Sequence, residues 1–153
     1  MSKPISVRPV ERADFDAWSR LWAGYNDFYE RRGPTAVSDD MTKLTWERFF
    51  GSDEPMYSLV AEFDGRIVGI ANYLFHRNTV MVNPVCYLQD LFTDASMRGQ
   101  GVGRALIEGV YERAREAGSS RLYWQTHETN KTAMRLYDAV ALKSGFVVYR
   151  KDI

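Results

Sequence analysis

The chain has 153 residues, of which 45% are hydrophobic and 26% charged, a composition typical of a globular protein with one sizeable core. This composition excludes disordered, collagen-like and coiled-coil proteins and favours a single domain over residues 1–153. Lysine and arginine together number 20, as do aspartate and glutamate, so the net charge of zero argues against nucleic acid as a partner.

One cysteine, Cys86, allows neither an intrachain disulfide nor a multi-cysteine metal site, so we expect no metal and a cytoplasmic location. No stretch approaches the roughly 18 apolar residues of a membrane helix, and we expect no membrane partner. Residues 98–153 carry 10 basic and 6 acidic side chains, whereas residues 1–97 carry 10 and 14. The basic part, residues 98–153, could suit an anionic ligand, and the acidic part, residues 1–97, a cationic one. Chance explains differences of this size equally well.

A short strand and two helices are predicted for the first third of the chain. Apolar residues alternate in the strand from Ile5 to Val10. Aromatic residues then recur at three- and four-residue steps, at Phe15, Trp18, Trp22, Tyr25 and Tyr29. These steps place the rings on one helix face, most simply as core, with one tyrosine able to contact a substrate instead. Asp14 could cap this helix and Gly33 end it, while Ser38 could cap a second helix that stops at Gly51.

The middle of the chain predicts three strands. Residues 56–63 and 66–75 are rich in β-branched and aromatic side chains and flank Asp64-Gly65, a dipeptide typical of tight hairpin turns. Residues 85–93 predict a third strand, which is too apolar to lie exposed along its whole length. Cys86 lies in this strand and is interpreted as a small core residue rather than a nucleophile.

The last third predicts helices that alternate with strands. After a glycine-rich turn, apolar residues from Val102 to Ala114 mark one face of a helix that Gly118 could end. Residues 122–126 predict a strand, Asn130 is expected to cap another helix, and Gly145 leads into a final strand over residues 146–150. The order of elements indicates an α+β (α/β layered) fold in which helices flank a central sheet.

The glycine-rich turn at residues 98–104, Arg-Gly-Gln-Gly-Val-Gly-Arg, stands between a strand of buried type and a helix. Its glycines allow several N–H groups to converge, and the helix N-terminus adds partial positive charge, so the turn suits phosphate oxygens. The motif lacks the Gly-Lys-Ser/Thr end of a P-loop. It also comes late in the chain for a dinucleotide fold and has Leu106 where that fingerprint has glycine.

Two motifs of the chain together resemble those of the GNAT superfamily of acetyl-CoA-dependent N-acetyltransferases. They are Arg98-x-x-Gly101-x-Gly103 and, one strand later, Asn130-x-x-Ala133-x-x-Leu136-Tyr137. Residues 87–92, Tyr-Leu-Gln-Asp-Leu-Phe, are similar to the Tyr-Leu-Glu-Asp-Leu-Phe segment of the spermidine/spermine (diamine) acetyltransferase-like branch. The resemblance implies a GNAT-type fold, with a central mixed, mostly antiparallel sheet flanked by about four helices, and acetyl-CoA as cosubstrate.

The resemblance also implies which residues bind the cosubstrate. Its pantetheine and acetyl end would lie against backbone groups of Leu91, Phe92 and Thr93. Its pyrophosphate would lie on the turn formed by Arg98, Gly99, Gln100, Gly101, Val102, Gly103 and Arg104. Asn130 would hydrogen-bond the cofactor arm, Ala133 would leave room beside it, and Tyr137 would stand near the thioester sulfur. Asn130 and Tyr137 are seven residues apart and so share a helix face.

The chemistry that the family implies is direct transfer, in which an uncharged amine attacks the thioester carbonyl and a backbone N–H stabilises the oxyanion. Tyr137 would give a proton to the departing thiolate, because a phenol with a pKa of about 10 is neutral at pH 7. The alternative is that Tyr137 only packs on the apolar face of its helix.

The motifs do not identify which residue acts as the general base. The related diamine enzymes have glutamate where this chain has Gln89, and an amide does not accept a proton at neutral pH. Asp90 matches the next family residue, but neighbouring strand residues face opposite sides, so Asp90 could act only if a bulge re-aimed it. A water relay, Glu54, or an amine that arrives neutral are further options. His76 and His127 could also act as bases, although surface histidines are more frequent.

The expected function is transfer of acetyl from acetyl-CoA to a primary amine in a ternary complex. Acidic residues of the first part suit a small cationic amine such as a polyamine, although a solvated acidic face would contain the same residues. They are Asp39, Asp40, Asp53, Glu54 and Asp90. A peptide or protein amino group is one alternative, and a CoA-binding module that has lost its base is another. We also expect a homodimer, because relatives commonly pair.

Overall fold

The computed structural model describes residues 3–153, and its α-helices and strands are numbered here in chain order. They are β1 (Ser6–Pro9), α1 (Phe15–Phe28), α2 (Asp39–Arg48), β2 (Met56–Phe63), β3 (Arg66–His76), β4 (Val85–Thr93), α3 (Val102–Glu116), β5 (Leu122–Tyr123) and α4 (Lys131–Val140). Short 3-10 helices cover Arg12–Asp14, Gly33–Thr35 and Ala95–Met97.

The strands form one mixed sheet in the order β1-β2-β3-β4-β5. The first four strands are antiparallel to their neighbours, and β5 runs parallel to β4. The β2–β3 hairpin turns at Asp64 (φ 52°) and Gly65 (φ 75°), as the sequence predicted. The predicted fold, a mostly antiparallel sheet flanked by four helices, is confirmed.

Each face of the sheet is covered by its own helices and has its own core. The aromatic residues of α1 and α2 pack on one face around Trp18 and Trp46, together with Val60 and Ile70 of the sheet. α3 packs on the other face, where a Cβ added to Gly69 would lie 2.7 Å from Val102 Cγ1. Only glycine permits so close an approach of the helix to β3, and this approach fixes where α3 begins.

A β-bulge interrupts the pairing of β3 with β4. Asn72 pairs with Asp90 and Tyr73 with Leu88, so Gln89 has no partner on β3. Leu88 therefore belongs to the core under α3, whereas Asp90 is hydrogen-bonded to Asn72 on the α1 side of the sheet. The bulge that would be needed to re-aim Asp90 is present.

One predicted strand is shorter in the structure, and another predicted strand is absent. The strand predicted over residues 122–126 is limited to Leu122–Tyr123. Residues 146–150 form no strand, because no other segment of residues 3–153 pairs with them and their side chains are exposed. The strand-forming residues at 146–149 are present, but a partner strand within the chain is not.

The helix boundaries also differ from the predictions in part. Ser38 caps α2 by accepting a hydrogen bond from the Met41 N–H, as predicted. Asp14 and Asn130 stand at N-cap positions, but neither side chain caps its helix. The Asp14 carboxylate instead binds the Arg8 guanidinium at 2.7 Å. α1 and α2 end several residues before Gly33 and Gly51, respectively.

Within residues 3–153, no helix is both long and apolar enough to cross a membrane.

Candidate active site

The sheet opens between β4 and β5, and this opening is the centre of the candidate site. The two strands pair only at Cys86–Leu122 and Tyr87–Tyr123. Beyond Tyr87, no described strand pairs with β4 on this side, although its other side stays paired with β3 as far as Thr93. Residues 91–93 therefore have backbone groups available to a ligand, where the sequence predicted the pantetheine and acetyl end of acetyl-CoA.

The glycine-rich turn lies between the end of β4 and the start of α3. Gly99 and Gly101 have φ angles of 76° and 88°, and a Cβ at either position would meet no atom within 4 Å. No backbone carbonyl within residues 3–153 accepts a hydrogen bond from the N–H groups of residues 98–104. These donors, the N-terminus of α3 and the exposed Arg98 and Arg104 fit the pyrophosphate of acetyl-CoA.

Close contacts join this turn to α4 and to the end of β4. A Cβ added to Gly103 would lie 3.2 Å from Leu136 Cδ2 and 4.0 Å from Thr93 Oγ1. The fold therefore brings together two regions that the sequence assigned to the cosubstrate, the turn and the end of β4, with the helix that contains Tyr137.

Tyr137 is half-buried on α4 and packs edge-on against Trp124, with ring centroids 5.5 Å apart. Burial raises the pKa of Tyr137 to about 12, and the nearby Tyr29 adds to the rise. The phenol is therefore protonated at neutral pH. On the same helix face, Ala133 is half-buried, and Asn130 at the helix start donates from Nδ2 to Thr126 Oγ1 at 3.1 Å.

A buried chain of hydrogen bonds leads from α1 across the sheet to Asp90. Trp18 Nε1 donates to Ser58 Oγ at 3.1 Å, and Ser58 Oγ donates to Asn72 Oδ1 at 2.7 Å. Asn72 Nδ2 then donates to Asp90 Oδ2 at 3.1 Å. Because Asn72 Oδ1 is already occupied, its amide nitrogen must face Asp90, which fixes the orientation of the carboxylate.

The electrostatic surroundings of Asp90 are set by burial and by three neighbours. Burial raises the pKa of the Asp90 carboxyl, while hydrogen bonds from Asn72 and Tyr25 and the charge of Arg31 oppose the rise. Burial, followed by the charge of Asp90, raises the pKa of Tyr25. A buried carboxylate with a raised pKa beside an opening is a common feature of active sites. Ser58 and Asn72 are not among the predicted site residues, although each is a polar residue within an apolar strand.

Tyr29 and Tyr87 extend the candidate site from Asp90 towards Tyr137. Burial raises the pKa of Tyr87, and nearby Asp90 and Tyr29 add to the rise. Tyr29 similarly raises the pKa of both Tyr25 and Tyr137. The ring centroid of Tyr29 lies 5.0 Å from that of Tyr25 and 5.4 Å from the Arg31 guanidinium. The end of α1 therefore groups two phenols and one cation beside the buried carboxylate of Asp90.

The other candidate bases lie outside this region. His76 is exposed and bonds the Tyr123 hydroxyl at 2.6 Å, and His127 is exposed and bonds Thr129 Oγ1 at 2.7 Å. Glu54 lies in the α2–β2 loop beside Gly51, and no hydrogen bond within the described chain joins it to Asp90. The Gln89 side chain points to solvent, and its carbonyl oxygen lies 3.5 Å from Tyr25 Oη.

Cys86 lies in the core at 0% exposure, as the sequence predicted, and burial raises the pKa of its thiol to about 12. Such a thiol is a poor nucleophile at neutral pH. Among residues 3–153, no three histidine, cysteine, aspartate or glutamate side chains are grouped so as to hold a metal ion.

Comparison with known proteins agrees with this geometry. The family model described as Acetyltransferase (GNAT) family matches residues 18–141, and the chain belongs to this family. It is 36% identical over 151 residues to the D-amino-acid N-acetyltransferase HPA3 of Saccharomyces cerevisiae, covering 97% of this chain and 91% of the yeast protein.

The chain is also 36% identical over 144 residues to the thialysine N-epsilon-acetyltransferase of Bos taurus, covering 89% of this chain and 82% of the bovine protein. Among solved structures, an aminoglycoside N-acetyltransferase, AAC(6')-Iy in complex with CoA, shares the fold with a TM-score of 0.82. Its sequence is 19% identical, and the match covers 99% of this chain and 97% of that protein. The chain is accordingly an N-acetyltransferase, with acetyl-CoA as its acetyl donor.

The first prediction concerns the glycine-rich turn. Gly101→Ala should raise the KM for acetyl-CoA by about tenfold, because a Cβ disfavours φ 88° and so shifts the N–H groups of the turn away from the phosphate oxygens. Steady-state kinetics with acetyl-CoA as the varied substrate measures this effect.

Gly65→Ala is the matched control, since Gly65 also has a positive φ, 75°, and open space around it but lies in the β2–β3 hairpin. The two variants should lose similar stability, and only Gly101→Ala should change the KM. Equal changes in KM for both would mean that the turn does not bind the cosubstrate.

Proposed function

We propose that residues 1–153 act as one N-acetyltransferase domain that transfers acetyl from acetyl-CoA to a small cationic amine. The acetyl group passes directly to the amine in a ternary complex, with no covalent enzyme intermediate. The observation that carries this proposal is the buried carboxylate of Asp90 on β4, beyond Tyr87, where β4 and β5 no longer pair. The protonated phenol of Tyr137 is on α4, the helix whose Leu136 lies against the glycine-rich turn. One group can accept a proton and the other can donate one.

Asp90 is proposed as the group that attracts the acceptor ammonium and takes up its proton. Its raised pKa makes it a stronger base than an exposed aspartate, and the Asn72 and Tyr25 hydrogen bonds hold it in one orientation. Loss of this proton, directly or through a water molecule, frees the nitrogen lone pair that attacks the thioester carbonyl. A second proton leaves the nitrogen to water as the tetrahedral intermediate collapses to the amide. Gln89 is proposed to contribute its position in the bulge, since its amide accepts no proton.

Tyr137 is proposed as the acid that protonates the departing thiolate of CoA. A phenol whose pKa is about 12 is protonated at pH 7, and it can hydrogen-bond the developing negative charge on sulfur. Its contact with Trp124 restricts the ring to one orientation. As the C–S bond breaks, the electron pair goes to sulfur and the phenolic proton follows it.

Three groups of residues are proposed to hold acetyl-CoA. Leu91, Phe92 and Thr93 offer backbone groups along the open side of β4. The turn donates N–H groups to the pyrophosphate, and its residues are Arg98, Gly99, Gln100, Gly101, Val102, Gly103 and Arg104. Asn130 hydrogen-bonds the cofactor arm, and Ala133 leaves space beside it.

Two classes of small amine fit the proposed acceptor site. A polyamine would place one ammonium at Asp90 and a second along the acidic part of the chain, as the similarity to the diamine branch suggests. An amino acid would place its carboxylate on Arg31, whose guanidinium lies 5.5 Å from the Tyr25 ring centroid and lowers the pKa of the Asp90 carboxyl. The names of the yeast and bovine relatives support the amino acid. A peptide amino group and a CoA-binding module without catalysis are the alternatives to both.

A cellular location and an oligomeric state are also proposed for the enzyme. A single buried cysteine is compatible with a reducing compartment, and we propose a cytoplasmic location. We also propose that the enzyme acts as a homodimer, because large apolar side chains stay exposed on the chain considered alone.

Release of free CoA from acetyl-CoA, followed across polyamines, amino acids, aminoglycosides and lysine peptides, tests the proposed function. We expect turnover with a small amine, and Tyr137→Phe should lower kcat by about 100-fold with little change in the KM for acetyl-CoA. The variant retains the ring that packs on Trp124 and loses only the hydroxyl group. Acetyl-CoA binding without turnover for every amine would instead support the binding module.

The second test uses the pH dependence of Asp90. The kcat/KM for the amine should fall as pH decreases through the Asp90 pKa, and Asp90→Asn should lower it by about 100-fold at pH 7. The folded-state pKa of Asp90 is raised, so the folded state binds more protons than the unfolded state and stability falls as pH rises above about 4. The melting temperature of Asp90→Asn relative to wild type should therefore increase from pH 4 to pH 7.

Asp94→Asn is the control for this thermal measurement. Hydrogen bonds from Ser96 lower the pKa of the Asp94 carboxyl, so its contribution to stability is present at neutral pH and is lost on acidification. The melting temperature of Asp94→Asn relative to wild type should decrease as pH rises towards about 4 and change little from pH 4 to pH 7. The same trend in both variants would contradict the assignment of Asp90 as a buried carboxylate with a raised pKa.

Arg31 distinguishes between the two classes of amine. Arg31→Gln should raise the KM for an amino acid by about tenfold and leave the KM for a polyamine unchanged, because only the amino acid has a carboxylate. Arg32→Gln is the matched control, since Arg32 is the next residue, is also exposed and pairs with Asp27. The KM values of wild type and both variants for an amino acid and for a polyamine measure this effect. If wild type prefers the polyamine as substrate, the assignment of an amino acid as acceptor is wrong.

A further inference from the structure

The hydrogen-bonded chain that ends at Asp90 is built from side chains of one helix and three strands. Trp18 is on α1, Ser58 on β2, Asn72 on β3 and Asp90 on β4. Ser58 is paired with Asn72 and Asn72 with Asp90, so the register of the sheet places the three strand residues side by side. None of the four residues is more than 8% exposed, and their polar atoms must therefore find partners within the protein.

This chain of hydrogen bonds can run in only one direction. An indole N–H donates and never accepts, so Trp18 sets the direction at the α1 end. Trp18 Nε1 lies 3.1 Å from Ser58 Oγ and 3.4 Å from Asn72 Oδ1, and Ser58 Oγ lies 2.7 Å from the same Asn72 oxygen. Two donors therefore converge on Asn72 Oδ1. If the amide turned by 180°, its NH₂ group would face the indole N–H, and the Ser58 hydroxyl would lose Asn72 Oδ1 as its acceptor.

At its other end the chain presents a donor to Asp90. Asn72 Nδ2 donates to Asp90 Oδ2 at 3.1 Å. An ionised carboxylate accepts this hydrogen bond, whereas a protonated carboxyl would need an acceptor in the same place to bind its proton. In this orientation the amide stabilises the charged form of Asp90.

We propose that Trp18 and Ser58 are positioning residues, which hold the Asn72 amide as a donor and so keep Asp90 in the ionised form that accepts a proton. This inference rests on the proposed function, in which Asp90 deprotonates the acceptor ammonium. Because the Asn72 N–H occupies Oδ2, the proton binds at Asp90 Oδ1. The N–H bond of the ammonium breaks, the O–H bond forms, and the electron pair stays on nitrogen for attack on the thioester.

Without the two donors, a second orientation of the amide becomes available. Turned by 180°, Asn72 would offer Oδ1 to a protonated Asp90 and would stabilise the neutral acid. Burial already raises the pKa of the Asp90 carboxyl, and the turned amide would raise it further. A larger share of the enzyme would then have Asp90 protonated at a given pH and unable to act as a base.

Among the described residues, the other groups that face Asp90 come from α1, from the segment after it and from β4. Tyr25 on α1 hydrogen-bonds the carboxylate and Arg31 adds a positive charge, and both lower the Asp90 pKa. Tyr87 on β4 is neutral at pH 7, since burial raises the pKa of its phenol and the charge of Asp90 adds to the rise. β3 contributes only an amide. Substitution of Ser58 changes none of these groups, so a shifted Asp90 pKa in such a variant reports the amide.

A matched pair of variants at residue 58 tests the proposal. Ser58→Thr and Ser58→Val have nearly the same shape, but only threonine keeps the hydroxyl that donates to Asn72 Oδ1. Carbon-13 NMR of the aspartate carboxyl groups against pH gives the Asp90 pKa, and Asp90→Asn identifies the signal. Wild type and Ser58→Thr should titrate alike, whereas Ser58→Val should titrate about one pH unit higher. Equal pKa values in the two variants would overturn the proposal.

Two further variants cover poor folding at residue 58 and the role of the indole. Ser58→Ala adds no atoms and removes the same hydroxyl, so its Asp90 pKa should also exceed that of wild type, and an unchanged value would overturn the proposal. Trp18→Phe keeps a ring in the aromatic cluster and removes the indole N–H. Combined with Ser58→Ala, it should raise the Asp90 pKa beyond that of Ser58→Ala alone, and no further rise would overturn the role of Trp18.

Kinetics separate this positioning role from a general effect on packing. The acid limb of kcat/KM for the amine should move to higher pH in Ser58→Val by the same amount as the NMR titration. The KM for acetyl-CoA should stay unchanged, because the chain of hydrogen bonds includes none of the residues proposed to hold the cosubstrate. An equal loss of activity at every pH, with the limb in its original place, would contradict the proposal.

The NMR titration does not depend on turnover, so it separates failure of this inference from failure of the proposed function. Full activity of Asp90→Asn would remove Asp90 as the base, whatever the Ser58 variants show. Activity that requires Asp90, with equal Asp90 pKa values in Ser58→Thr and Ser58→Val, would leave the proposed function intact and overturn the positioning role.

Discussion

The unpaired residue in β4 is the constraint on which the candidate site depends. Because Gln89 has no partner on β3, the alternation of side chains shifts by one position, and Asp90 faces α1 while Leu88 stays under α3. Without the shift, Asp90 would lie on the same face as Leu88, in an apolar core with no hydrogen-bond donor. The bulge thus allows an acidic residue to be buried at a place where Tyr25 and Asn72 can satisfy it.

The scaffold around this carboxylate is unusually rich in aromatic rings. Trp18 stacks with Trp22, and Trp22 stacks with Tyr25, so that one face of α1 is a continuous row of rings. Rings have few rotatable bonds, and a row of this kind limits the motion of the Tyr25 hydroxyl. Burial of Asp90 costs stability, and the aromatic cluster between α1, α2 and the sheet offsets that cost.

Local features of the structure could be predicted from sequence, whereas pairings between distant residues could not. The hairpin at Asp64-Gly65, the helix faces and the glycine-rich turn each follow from a few neighbouring residues. The bulge is a property of two strands in register, and no single segment reveals it. By residue type alone Asp14 predicts a helix cap, yet its carboxylate binds Arg8 on β1. For residues 146–150, the composition of a strand is present, but no strand within residues 3–153 pairs with them.

The contact between Trp124 and Tyr137 also gives the protein an optical property. Three of the four tryptophans, Trp18, Trp22 and Trp46, are packed in the cluster around α1 and α2. Trp124 alone lies beside the phenol proposed to protonate the leaving thiolate, with 5.5 Å between the ring centroids. Its fluorescence emission is consequently a native reporter of events at the opening between β4 and β5, separable from the other three by their burial. The enzyme thus contains its own probe for cosubstrate binding, with no dye or label attached.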